Sequence, residues 1–425
     1  MTAENRCRKT VLPNGVRILS ERVNHMRSVS LGIWADVGSR DEFDSDRGIA
    51  HFIEHMLFKG TRNRSSAQIA VELDSIGGFH NAFTGKETTC FHGRVLGKHY
   101  PQLADILSDL FLNSIFEPRD IELERQVVIQ EIGMVQDTPE EYVHELLNGL
   151  VWRGHAMGSP ILGEQDTVSG FNRDIIMSFR QRRYRPEKII VASAGRLDHE
   201  ALLAFFEPVF SSVKPLNSDS DARTSPGFTG AYAHTERDLE QVQICIGSRA
   251  PSLQDENRFA CGVLNTLLGG NMSSRLFQEI REKRALAYSI YSFINTFSDS
   301  GVLVIYAATD PERAEETLEV IRKECVEIIR GGISASELEA AKEHLTASLY
   351  LSSESADSRM IRLAKNEILY GRDVSYEELV TRLESVTLDD VVGVAAHIFG
   401  NGNTALATLG PLKEGDLDMN LIRFS

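Results

Sequence analysis

The chain has 425 residues, 42% of them hydrophobic, with 45 Lys+Arg against 61 Asp+Glu for a formal net charge of −16. That length and apolar content suit about two to four globular domains with sizeable cores and exclude a disordered or fibrous chain. The acidic balance offers no general attraction for phosphate backbones or anionic lipid, so neither nucleic acid nor membrane is expected as a partner. No run of about 18 apolar residues could span a bilayer, and Met1 to Cys7 lacks the apolar core of a secretory signal. Cys7, Cys90, Cys245, Cys261 and Cys325 are odd in number, widely spaced and free of any Cys-x-x-Cys pair. They indicate neither a disulfide framework nor a zinc ribbon and fit a reducing, cytoplasmic compartment.

Along the chain, alternating Val16 and Ile18, then Val29, Leu31 and Ile33, predict strands, while Gly48 to Phe58 and Ala67 to Ile76 predict helices. A strand is expected from His80 to Val95, then helices over Tyr100 to Leu112 and Arg119 to Val135. Residues 213–228, with Pro215, Asn217, Ser218, Asp219, Ser220, Asp221, Pro226 and Gly227, have linker composition. Beyond them come a strand at Val242 to Ile246 and helices at Asn257 to Leu268 and Arg275 to Arg284. A strand pair from Tyr288 to Ala308 and helices at Pro311 to Arg330 and Ser334 to Tyr350 complete the series. Sliding the first half by 215 positions lays Ile121-Glu122-Leu123-Glu124 on Ser336-Glu337-Leu338-Glu339, and Ala50 to His55 on Asn265 to Gly270. The expectation is two related α+β domains, 1–212 and 229–425, joined by the 213–228 linker.

His51-Phe52-Ile53-Glu54-His55 is the sharpest chemical feature. On a helix, His51 and His55 project as neighbours from one face, with Glu54 on the same side. Two imidazoles can share a zinc ion, a third ligand must come from elsewhere, and a carboxylate that does not bind the metal can take the proton of the activated water. Twelve histidines in 425 positions predict at most about 0.05 such pentapeptides by chance. The third ligand is sought in Glu124-Arg125-Gln126-Val127-Val128-Ile129-Gln130-Glu131, whose two acids lie two helical turns apart on an apolar stretch. Glu131 is the expected ligand, and Glu124 is expected to orient a histidine from behind.

His51-x-x-Glu54-His55, followed by Glu124 and Glu131, resembles the inverted zincins, specifically the pitrilysin-type metallopeptidases in the short branch of mitochondrial processing peptidase and its bacterial relatives. Flanking matches are Gly48-Ile49-Ala50, Met56-Leu57-Phe58-Lys59-Gly60-Thr61, Gly77-Gly78, Asn81-Ala82-Phe83-Thr84, His155, Gly158, Pro160, Gly163, Tyr184 and Gly195. The family often has Pro where this chain has Ala156.

The resemblance implies a zinc metalloendopeptidase with one zinc per chain and two α+β domains, each a mainly antiparallel sheet covered by helices, forming halves of a clamshell chamber. It implies an edge strand at His80 to Thr84 on which Asn81 and Ala82 hold an extended peptide. Arg281 and Tyr288, spaced by seven in a non-catalytic second domain, would complete the site, with Tyr288 donating to the developing oxyanion. Under the 215 shift Gly269 and Gly270 fall opposite Glu54 and His55, so the second domain is expected to hold no metal. A chain of this length implies a homodimer, or a hetero-pair, acting on peptides or unfolded segments. The alternative is a non-catalytic scaffold or regulatory subunit of a peptidase complex, against which stands the presence of every motif residue.

Overall fold

The computed structural model describes residues 7–214, 222–400, 403–413 and 415–424. Among them, eleven strands make two sheets. The first comprises β1 (Cys7–Val11), β2 (Arg17–Arg22), β3 (Ser28–Ala35), β4 (Phe79–Thr84), β5 (Thr89–Leu96) and β6 (Ile189–Gly195), in the order β1-β2-β6-β3-β5-β4. The second comprises β7 (Tyr232–Glu236), β8 (Val242–Arg249), β9 (Ala287–Thr296), β10 (Gly301–Thr309) and β11 (Thr404–Gly410), in the order β7-β11-β8-β10-β9.

With the outer strand β1 set aside, the two orders are one pattern. The β2–β6 and β7–β11 pairs are parallel and every other pair is antiparallel. The starts of β2 and β7 differ by 232 − 17 = 215 residues, and those of β6 and β11 by 404 − 189 = 215. The internal repeat expected from the sequence is thus written in strand order and direction. The chain is a mixed α/β fold of two related sheets covered by helices.

Four helices frame the functional residues and the cores beneath them: α1 (Ile49–Leu57), α2 (Pro118–Asp137), α3 (Pro139–Val151) and α4 (Ala356–Tyr370). Strand pleating sends Leu31, Ile33 and Ala35 of β3 into one core with Ile49, Phe52, Ile53 and Met56 of α1. Trp34, on the opposite face of β3, packs with Leu19, Cys90, Ile190 and Ala192 beneath Met360, Leu363 and Ala364 of α4. Gly32 makes room there, since a Cβ would stand 2.7 Å from the Met360 sulfur.

The packing units do not follow the expected halves. One unit is Met1–Gly133, Ser159–Arg223 and Leu351–Val374; the other is Met134–Gly158, Thr224–Tyr350 and Ser375–Ser425. The first unit takes α4 from the second half of the chain. The second takes α3 from the first half, whose Val143, Leu147, Leu150 and Val151 pack on Cys245, Val302, Val304, Tyr306 and Ala407. Gly247 lies beneath Leu147 as Gly32 lies beneath Met360, 215 positions apart. These units place α3 and α4 otherwise than a division at 1–212 and 229–425 would, because an amphipathic helix announces that one face is buried, not which sheet buries it. Of the expected linker, residues 215–221 lie outside the described residues, and Arg223 already belongs to the first unit.

Two elements also differ from expectation. His80 to Val95 is a hairpin, β4 and β5, closed by the Gly85 N–H donating to the Thr88 carbonyl at 2.8 Å. Arg275 to Arg284 holds only a six-residue, widely wound helix, Phe277–Glu282.

Candidate metal centre

Helix α1 starts from Gly48 in the left-handed region (φ 92°) and buries Ile49, Ala50, Phe52, Ile53, Met56 and Leu57. The same 3.6-residue period leaves His51, Glu54 and His55 on the other side. Helix α2 buries Ile121, Val128 and Ile132 and turns Glu124 and Glu131 toward α1. Ligand atoms of His51, His55 and Glu131 all lie within 4.8 Å of one another. Glu131 Oε2 is 3.8 Å from His51 Nε2 and 3.5 Å from His55 Nε2.

Those separations are too long for hydrogen bonds, and the buried Glu131 Oε2 has no hydrogen-bond partner. Two donors bound about 2.0–2.1 Å from one tetrahedral zinc stand roughly 3.3 Å apart. An orphaned carboxylate oxygen facing two imidazole nitrogens at close to that spacing is a donor set that fits zinc. Among the described residues it is the only such cluster.

Glu124 is 5% exposed and lies behind His55. Its Oε2 accepts from His55 Nδ1 at 3.1 Å and its Oε1 from Lys59 Nζ at 2.6 Å. Although burial opposes ionisation, these donors hold the Glu124 carboxyl below its usual range. With Nδ1 protonated toward Glu124, His55 presents Nε2 as a free lone pair. Burial, and then the nearby charge of His55, lower His51 to about 4. For His55, burial works the other way from the net result: the Glu124 hydrogen bond and the charges of Glu131, Glu124 and Glu54 raise its pKa.

Glu54 is half-buried, and the Thr84 hydroxyl donates to its Oε2 at 2.6 Å. Burial raises its pKa, with the Thr84 hydrogen bond in partial opposition. Thr84 ends β4, which among the described residues pairs only with β5 and so leaves an open edge. Asn81 is exposed on that edge, its Oδ1 accepting from the Ala82 N–H at 2.9 Å, and Ala82 packs against the core.

Residues 17–165 match the family described as "Insulinase (Peptidase family M16)", and residues 170–345 match "Peptidase M16 inactive domain". An uncharacterized zinc protease of Mycobacterium bovis is 40% identical over 412 residues, 95% of this chain and 93% of that protein. The chain belongs to peptidase family M16. A second uncharacterized zinc protease, from Bacillus subtilis, is 38% identical over 398 residues, 94% of this chain and 97% of the relative. The same fold is seen in a protease from Helicobacter pylori, with TM-score 0.89, 22% identity and coverage of 95% of this chain and 99% of that one.

In this M16 chain the cluster of His51, His55 and Glu131 falls within the first family match. Arg281 and Tyr288 come together in the second unit, the guanidinium 4.7 Å from the Tyr288 ring centroid and 5.0 Å from that of Phe277. Against β10, Ala308 pairs with Ser289 and Thr309 with Ala287, so Tyr288 is the extra residue of a β-bulge. Sequence reasoning assigned no role to Thr84 or Lys59, although both stand in the family-like segments, nor to Glu42, whose carboxylate reaches the first amides of α1. Their signal was there in part: Lys59 is one helical turn beyond His55, and Thr84 alternates with Ala82 on one strand face.

Proposed function

We propose that the protein is a zinc metalloendopeptidase that hydrolyses peptide bonds in extended peptides or unfolded segments. The observation that carries this reading is the orphaned Glu131 Oε2 facing His51 Nε2 and His55 Nε2, with a half-buried Glu54 beside them. His51, His55 and Glu131 would hold the ion. When bound, zinc would polarise the scissile carbonyl and acidify the attacking water.

The chain's own groups do the rest. The unpaired N–H and C=O groups of β4 bind an extended peptide through its main chain. Thr84 holds the Glu54 carboxylate in place; Glu54 takes a proton from the attacking water and returns it to the departing amine, so the amide gains one water and yields an acid and an amine. The burial that raises the Glu54 pKa suits a group that must both accept and donate that proton. Tyr288 is the assigned donor to the developing oxyanion, with Arg281 holding its ring.

Mass spectrometry of unstructured peptides incubated with zinc-loaded protein tests the reading. Wild type is expected to cleave, and Glu54→Gln to retain zinc while losing at least about a hundredfold in rate. Equal cleavage by both overturns Glu54 as the base. Zinc retained by both with cleavage by neither favours a non-catalytic subunit of a peptidase complex.

A further inference from the structure

Helix α1 has no local cap, because Gly48 offers no side chain to the first backbone N–H groups. Glu42, six residues earlier and 7% exposed, takes that place: Oε2 accepts from Gly48 N and Oε1 from Ala50 N, each at 2.8 Å. A buried carboxyl group accepting from two N-terminal amides caps the helix; burial pushes its pKa up to about 8, while the two amide hydrogen bonds favour the charged form. It acts on the short helix that carries His51, Glu54 and His55.

Glu42 is itself held by a strap. Ser39 N donates to Gly85 O at 3.1 Å and Arg40 N to Lys86 O at 2.8 Å, tying the strap to the turn of the β4–β5 hairpin. Gly38 lies so close to that turn that a Cβ would stand 2.4 Å from Gly85 O. Arg223, where the chain leaves the first unit, clamps both: NH2 reaches Asp41 Oδ2 and Glu87 O at 2.7 Å each, Nε reaches Asp41 Oδ1 at 2.9 Å, and NH1 reaches Asp36 Oδ1 at 2.9 Å.

We propose that Glu42 is a positioning residue of the metal centre, fixing the start of α1 relative to the substrate-binding hairpin, and that Arg223 holds the strap from which it acts. This rests on the zinc reading of His51, His55 and Glu131, and on nothing about which peptides are cut. An ordinary core carboxylate would support stability alone; this one would set how the two histidines meet the metal.

The test is zinc affinity by chelator competition, with the absorption spectrum of the cobalt-substituted protein as a second readout. In Glu42→Gln the amide NH2 faces a backbone donor and one amide of α1 loses its acceptor, so zinc affinity is expected to fall about tenfold or more and the cobalt bands to shift. Glu42→Asp, which keeps both oxygens, is expected to recover part of the affinity. Leu103→Ala, in the core on the helix Tyr100–Asn113, is expected to lower stability while leaving zinc affinity within twofold. Should Glu42→Gln fail to fold, Arg223→Gln loosens the strap from farther away and is expected to weaken zinc severalfold. Wild-type affinity and an unshifted cobalt spectrum in the Glu42 or Arg223 variants overturn the proposal alone, whereas a wild type that takes up no metal overturns the metalloprotease reading with it.

Discussion

His51 and His55 stand one turn apart on α1, yet their proton affinities are pushed in opposite directions. Desolvation dominates at His51, which falls to about 4, whereas the carboxylates around His55 outweigh its burial and raise it above the ordinary 6.5. A raised histidine stabilises the metal-free fold below the unfolded value of about 6.5, and that contribution is lost as pH rises through the folded pKa. Metal and proton compete for the same lone pair, so the proton that opposes zinc near neutrality is the one on His55. Zinc affinity is expected to begin falling at a pH above 6.5, by about tenfold for each further unit of acid, with a second, steeper limb only near 4. In Glu124→Gln the first break should move to lower pH, because the main support of the charged imidazole is gone. At pH 8 the same variant should bind zinc about 10- to 100-fold more weakly, because the imidazole loses its orienting partner. Chelator competition across pH checks this, and a first break at or below 6.5 in the wild type would sink it.

At the scale of elements, the entry to α1 depends on two loops touching backbone to backbone. Gly48 (φ 92°) and Gly163 (φ 78°) face each other; a Cβ on Gly163 would stand 2.4 Å from Arg47 O, and one on Gly48 2.5 Å from Leu162 O. Gly163→Ala therefore combines a left-handed conformation unfavourable to alanine with a clash that only backbone movement can relieve. It is expected to cost about 2–4 kcal/mol and to weaken zinc binding as the start of α1 shifts. Gly133→Ala, in α2 with nothing within 4 Å of the new Cβ, is expected instead to gain about 0.5–1 kcal/mol. Thermal melts of both variants check the pair, and equal effects would refute the close-contact argument. The sequence could announce a glycine before the motif, but not its partner 115 positions later, 163 − 48, because such a contact is made by tertiary approach. For the same reason α3 and α4 were not assigned: their apolar stripes fit either sheet, and the sheets differ in which helix they receive.

For the molecule as a whole, what local periodicity controls was legible. The 215-residue repeat, the facing pair His51 and His55, and the two-turn spacing of Glu124 and Glu131 follow from strand and helix geometry alone. Glu42, the contact of Thr84 with Glu54 and the exchange of α3 and α4 were not legible, because each depends on segments brought together by folding. The β4–β5 turn was read through as well: Gly85 is its one turn signal, and Lys86-Glu87-Thr88 adds no Asn-Gly or Pro of the kind that marks tight hairpins. Tyr288 lies between these cases: family likeness marks it, and the fold shows an irregularity that packing does not require. The bulge lifts it out of register, it is 76% exposed for an aromatic residue, and Arg281 lies over its ring. Tyr288→Phe keeps the ring, the bulge and the cation–π contact and removes only the hydroxyl. If that hydroxyl donates to the developing oxyanion, kcat should fall about 10²- to 10³-fold, with KM, zinc content and melting temperature unchanged. A loss confined to KM would instead make Tyr288 a substrate-holding residue, because an interaction made equally in ground and transition states leaves kcat alone. Steady-state kinetics on a peptide cleaved by the wild type separates the two.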